Sequence, residues 1–79
     1  MKVRVKLFGM LASLFPDYDS DEGIEVPIPD GASVEDLLAR LQVSNEEGPV
    51  VTVNGLIEKK GKKLKDADVI NIFHSIVGG

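Results

Sequence analysis

The sequence contains no cysteine and no tryptophan, and it has a single histidine, His74. Without cysteine there is no disulfide scaffold, no thiolate zinc site and no thiol nucleophile. One histidine is too few for a protein-encoded metal site, which usually draws on several His or Cys ligands. No apolar run approaches the roughly 20 residues that span a bilayer. The opening Met1-Lys2-Val3-Arg4-Val5-Lys6 alternates charge with apolar residues, unlike the continuous apolar stretch of a signal peptide. The expected location is therefore cytoplasmic, with no membrane partner. A Gly-rich phosphate loop, a Ser-His-Asp set with an orienting pattern and a metal-ligand cluster are also missing. The carboxylate pairs Asp21-Glu22 and Glu46-Glu47 are adjacent in sequence and read as loop solvation.

What remains is an ordinary globular composition: 79 residues, 43% hydrophobic, 28% charged and 5% aromatic. The length suits one domain over residues 1–79. A domain this small buries only about 60% of its unfolded surface, which leaves little room for a core and an internal active site together. Chemistry is expected at an edge, a loop or a terminus. The net charge is −4, with acidic residues from Asp17 to Glu47 and a lysine group at Lys59, Lys60, Lys62, Lys63 and Lys65. Nucleic-acid binding calls for a broad basic surface and is not expected here. Charge asymmetry of this kind suits docking on another protein. The lysine group by itself reads as a solvated loop.

Lys2 to Phe8 alternates with a period of two, so Val3, Val5 and Leu7 face one way and Lys2, Arg4, Lys6 and Phe8 the other, as in a half-buried strand. Gly9 to Phe15 suggests a helical turn, closed by Pro16 and an acidic loop. Gly23 to Ile28 alternates again with Ile24, Val26 and Ile28 inward. Pro27 cannot donate a ladder hydrogen bond, which places that strand at a sheet edge. After the Pro29-Asp30-Gly31 turn, Ser33 is a candidate N-cap, with Glu35 and Asp36 in the first turn. Val34, Leu37, Leu38 and Leu41 follow at helical spacing, predicting a helix over Val34 to Gln42 and a loop over Asn45 to Pro49. The β-branched run Val50-Val51-Thr52-Val53 predicts a buried strand. Asn54-Gly55 predicts a tight hairpin into a short strand at Leu56, Ile57 and Glu58. Leu64 is expected to plug the core, Asp66-Ala67-Asp68 to turn the chain, and Val69 to Phe73 to form the last strand, with Ile70 and Ile72 on one face and Val69, Asn71 and Phe73 on the other.

One helix on one face of a mixed four- to five-stranded sheet is an α+β arrangement. This element order resembles the β-grasp (ubiquitin-like) fold. The resemblance implies that the first and last strands lie side by side and parallel at the sheet centre.

Behind that order comes Ile76-Val77-Gly78-Gly79. Glycine lacks a Cβ, so two in succession make the thinnest peptide and bend freely. Such a tail can thread a narrow channel and present an unhindered carboxylate. Lys2-Val3-Arg4-Val5-Lys6-Leu7-Phe8, Ser33-Val34-Glu35-Asp36-Leu37-Leu38, Val51-Thr52-Val53-Asn54-Gly55 and the stretch from Leu64 through Phe73 to Gly79 are together similar to the small subunits of molybdopterin synthase. Two departures stand out: Ala67 where family members often have Gly, and His74-Ser75 where they often have two prolines. The resemblance implies a sulfur carrier. An E1-like adenylyltransferase would use ATP to adenylate Gly79, and a sulfur donor would convert it to a thiocarboxylate. The large synthase subunit, in a heterotetramer, would then take the sulfur into the dithiolene of molybdopterin. The carrier would bind no cofactor and have no active site of its own, with Gly78 and Gly79 as its working residues.

Phe8 and Phe73 lie on the outward phase of their strands. On neighbouring strands they would form an exposed apolar patch, an expected partner surface, unless loops or the tail cover them. Ile76 and Val77 would stiffen the tail for insertion into a partner groove or pack back on the sheet edge. His74 reads as an exposed linker residue ahead of any pH-sensing role. Three other functions stay open. One is a thiamine-pathway sulfur carrier, against which the long Gly9 to Glu22 connection counts. Another is a ubiquitin-like protein modifier. The third is a non-catalytic β-grasp interaction module.

Overall fold

A computed structural model describes residues 1–8, 22–43 and 48–73. Its elements are β1 (Lys2–Leu7), β2 (Ile24–Pro27), α1 (Val34–Arg40), β3 (Val50–Val53), β4 (Leu56–Ile57) and β5 (Val69–Phe73). They form one five-stranded sheet in the order β2-β1-β5-β3-β4. β1 and β5 pair in parallel, with Val5 opposite Ile70 and Leu7 opposite Ile72, and every other pairing is antiparallel. This is the β-grasp arrangement, with the first and last strands adjacent at the centre.

The alternation of side chains decides which face is covered. Val3, Val5, Leu7, Ile70 and Ile72 are at most 3% exposed, and Leu37 of the helix is fully enclosed with them. Burying a Val, Leu or Ile side chain this completely contributes about 1.5–3 kcal/mol each, so this layer is the main source of stability. Leu64 joins it, as its apolar character predicts. β2 is an edge strand, and Pro27 needs no ladder donor there. Gly23 leads into β2 with φ +75°, and a Cβ at that position would collide with the Val5 carbonyl oxygen.

Several details differ from the sequence expectation. The helix ends at Arg40 rather than Gln42, because Gln42 takes φ +61°. The Gln42 N–H donates to the Ala39 carbonyl and the Val43 N–H to the Leu38 carbonyl, which is the Schellman closure with glutamine in the usual glycine place. The β3 run is buried on one phase only. Val51 and Val53 are 4% exposed but Val50 is 39%, since the helix covers a single face of the sheet. β4 is limited to Leu56–Ile57, although the Glu58 N–H still bonds the Val51 carbonyl at 3.0 Å. The expected helical turn at Gly9 to Phe15, the Pro16 loop and most of the Asn45 to Pro49 loop lie outside the described residues.

The lysine loop has a backbone role. An α-helix starts with N–H groups that have no partner inside the helix. Here the carbonyls of Lys62 and Lys60 accept from Val34 and Glu35 at 2.9 and 3.0 Å. Ser33 and Asp36 complete the capping box, with the Ser33 N–H donating to Asp36 Oδ2 at 2.9 Å.

Candidate partner-docking site

The parallel pairing of β1 with β5 brings Phe8 beside Phe73. The Phe8 N–H continues the ladder by bonding the Ile72 carbonyl at 3.1 Å. The two rings stack with centroids 4.5 Å apart and planes 10° from parallel. They remain 40% and 37% exposed, on the sheet face opposite the helix. Val50 lies across the strand from Phe73 and extends this apolar row.

A second row crosses the open face one step along: Lys6, Asn71, Thr52 and Ile57, each opposite the next in register. Ile57 is 76% exposed. The Thr52 Oγ1 and Asn71 Oδ1 atoms in the middle of this row are shielded from solvent and have no hydrogen-bond partner. A third row pairs Arg4 with the exposed Val69. The open face is thus an apolar surface around a small polar centre. Contiguous exposed apolar surface of this kind usually marks a partner site.

The rim is charged. Glu25 receives Lys2 at 3.5 Å and Arg4 at 3.6 Å. Arg4 Nη1 also donates to the Glu22 carbonyl at 3.0 Å. These exposed ion pairs add little stability. Lys6 has no ion pair among the described residues. Its stem runs beside Gly23, where the missing side chain leaves room.

The start of β5 is held by a polar clip. Asn54 Nδ2 donates to Asp68 Oδ1 at 2.9 Å, and the Lys65 N–H donates to Asp68 Oδ2 at 2.8 Å. Asn54 Oδ1 accepts from the Val69 N–H at 2.9 Å, and the Asn54 N–H donates to the Val69 carbonyl at 2.8 Å. Asn54 takes φ +51° and Gly55 φ +89°, as the hairpin requires. Ala67 takes φ +69° so that its N–H reaches the Lys2 carbonyl at 2.8 Å. β5 is thus tied at its beginning to both the hairpin and β1, which fixes the register that stacks Phe73 on Phe8.

Among the described residues, Asp36 is the titratable group with a clear shift. Hydrogen bonds from the Ser33 backbone and hydroxyl hold its carboxyl below the ordinary 3.8, with a smaller contribution from the charge of Lys63. It belongs to the helix cap, away from the open face. Among the described residues, no group of three or more His, Asp or Glu side chains could hold a metal ion, and no helix is long and apolar enough to cross a membrane.

Of the residues singled out from sequence, Phe8 and Phe73 are brought together. His74, Ile76, Val77, Gly78 and Gly79 lie outside the described residues. Sequence reasoning put Val69 and Asn71 on the face of Phe73, but it missed Val50 and Ile57 as exposed apolar neighbours and the pairing of Asn71 with Thr52 as a polar centre. The outward phase shared by Thr52 and Val50 was the available signal.

A family model described as the ThiS family matches residues 5–79. No curated protein matches the sequence. Among solved structures, a protein of Pyrococcus furiosus assigned as molybdopterin converting factor subunit 1 superimposes with a TM-score of 0.73 at 24% identity, covering 96% of this chain and 99% of that one. The small archaeal modifier protein 1 of Haloferax volcanii gives 0.74 at 20% identity, covering 95% and 98%. The complex of subunits 1 and 2 of the molybdopterin-converting factor from Helicobacter pylori gives 0.62 at 25% identity, with full coverage of both chains.

Proposed function

The chain belongs to the ThiS family, and from that premise we propose that it is the sulfur-carrying small subunit of a molybdopterin synthase, with the Gly79 carboxylate as its working group. The observation that carries this reading is the exposed Phe8–Phe73 stack at the end of β5. The Gly-Gly segment follows directly in sequence, and its six residues from His74 can reach at most about 20 Å. A partner that grips the stack therefore has the carboxylate within range of its own active site. The complex of subunits 1 and 2 from Helicobacter pylori supports a large subunit as that partner.

The carboxylate is a poor acyl donor. In an E1-like adenylyltransferase it attacks the α-phosphorus of ATP, pyrophosphate leaves, and an acyl adenylate forms. A persulfide sulfur then attacks the acyl carbon and AMP departs with the bonding pair. Reductive cleavage of the S–S bond by a thiol of the donor system leaves the thiocarboxylate –C(O)S⁻. That sulfur is the nucleophile delivered to the pterin precursor in the large subunit. Covalent activation divides one difficult transfer into easier steps. This chain's contribution is to present the end group, since glycine at 78 and 79 leaves the acyl carbon open to attack.

The test is anaerobic incubation with the E1-like enzyme, ATP and a sulfur donor, followed by intact mass measurement. Exchange of one oxygen for sulfur at Gly79, and molybdopterin formation once the large subunit and pterin precursor are added, is the expected result. A chain lacking Gly79 that still supports pterin sulfuration would remove the reading. The similarity to a small archaeal modifier protein supports a second reading, in which the same adenylate is passed to a lysine amine. Recovery of an isopeptide-linked Gly79 in place of the thiocarboxylate would favour it.

A further inference from the structure

The open face carries two polar atoms that are closed off from water and bonded to nothing, Thr52 Oγ1 and Asn71 Oδ1. A buried polar atom without a partner costs stability, and native structures keep few of them. Thr52 and Asn71 lie directly opposite each other on β3 and β5. They sit one row from the Phe8–Phe73–Val50 row and between Lys6 and Ile57. Valine at 52 and leucine at 71 would suit the same strands and would leave no orphaned atom.

We propose that Thr52 and Asn71 are the specificity-determining centre of the docking face, and that the large synthase subunit lays a neutral carboxamide or peptide group against them. This rests on the docking reading given above. The chemistry follows from the groups present. Asn71 Oδ1 needs a donor, and the Thr52 hydroxyl can both donate and accept. A carboxamide or peptide group offers a donor and an acceptor side by side, and it matches the Asn71 amide in either of its two orientations. A partner lysine or arginine would meet Lys6 in the same row, and like charges brought together at an interface oppose binding. An apolar partner group would leave both atoms as unpaired in the complex as they are in the free domain. Thr52 and Asn71 are themselves only partly buried, and partly exposed side chains change rotamer quickly, so both polar atoms can turn outward as a partner arrives.

The experiment compares Thr52→Val, Thr52→Val with Asn71→Leu, and Phe73→Ala with the unaltered full chain. Thermal unfolding and calorimetric titration with the large synthase subunit of the same organism are measured for each. The expected result is that the Thr52 and Asn71 variants melt a few degrees higher yet bind the large subunit about tenfold or more weakly. Stability and affinity then move in opposite directions, which a merely structural role does not produce. Unchanged or tighter binding by these variants, with Phe73→Ala weakened, overturns the inference and leaves the docking reading standing. Unchanged binding by Phe73→Ala overturns both. A lower melting temperature for Thr52→Val also overturns the inference, because a hydroxyl that already supports the free domain has no unmet bond to offer.

Discussion

Phe8 stacks on Phe73 at 4.5 Å, joining the end of the first strand to the end of the last. Offset aromatic pairs contribute about 0.5–1.5 kcal/mol beyond their buried area, and half-exposed aromatics are frequent interface anchors. Phe8→Ala is expected to weaken association with the large subunit by about tenfold, or about 1.4 kcal/mol. The melting temperature should fall only a few degrees. Calorimetric titration alongside thermal unfolding checks both halves. Equal affinity for the two chains would show that the face contributes nothing to binding.

Ala67 occupies the left-handed region at φ +69°. That conformation costs a non-glycine residue roughly 1–2 kcal/mol, partly offset by the stiffer unfolded chain that alanine gives. Ala67→Gly keeps the N–H bonded to the Lys2 carbonyl and is expected to stabilise the domain by about 0.5–1 kcal/mol. Urea denaturation followed by circular dichroism measures it, and a destabilised variant contradicts the strain assigned here.

The Asn54–Asp68 clip joins hairpin and strand through a side chain that also tolerates positive φ. Asn54→Ala loses both properties and leaves a nine-tenths buried Asp68 oxygen short of a donor, at a cost of about 3 kcal/mol. Asn54→Gly keeps the turn and loses only the bonds, so its cost should be smaller. Denaturant midpoints of the two variants separate the contributions. Indistinguishable variants would mean that the turn conformation carries none of the effect.

Asp36 is held ionised by Ser33. Its folded pKa lies below its unfolded value, so its contribution is complete above the ordinary carboxylate range and drains away as pH falls through the folded pKa. Asp36→Asn should be less stable than the unaltered chain at neutral pH, and the gap should narrow as the pH falls through the lowered pKa of Asp36. Melting temperatures measured from pH 2 to pH 7 test this. A gap that stays constant across the range would assign the difference to shape instead of charge.

The covered layer was legible in the sequence because it is written as alternation. Val3, Val5 and Leu7, and then Ile70 and Ile72, could satisfy a period of two only with one face inside. The helix was legible from Val34, Leu37, Leu38 and Leu41. Its end was not, because glutamine at 42 carries no sign of the left-handed turn that glycine would have announced. The outer face of β3 was also hidden. A run of valines looks the same on both phases, and only the presence of a single covering helix leaves Val50 outside. The proximity of Phe8 and Phe73 depends on a parallel pairing between the two ends of the chain, which no local pattern encodes and which the family resemblance supplied. Asn71 was an outward polar position and Thr52 part of a run read as buried, until the register set them face to face.

The central parallel pair has a consequence for how the protein is made. β1 is translated before β5, its inner neighbour, so Arg4 must wait for Val69 before the middle of the sheet can close. Pairings this distant in sequence form slowly and only after the intervening chain is available. A nascent chain cut short before Val69 has no sheet centre and no second phenylalanine ring to complete the stack. Synthesis of β5 is thereby built into the grip itself, and a partner that holds Phe8 and Phe73 together selects for chains that have closed the sheet centre.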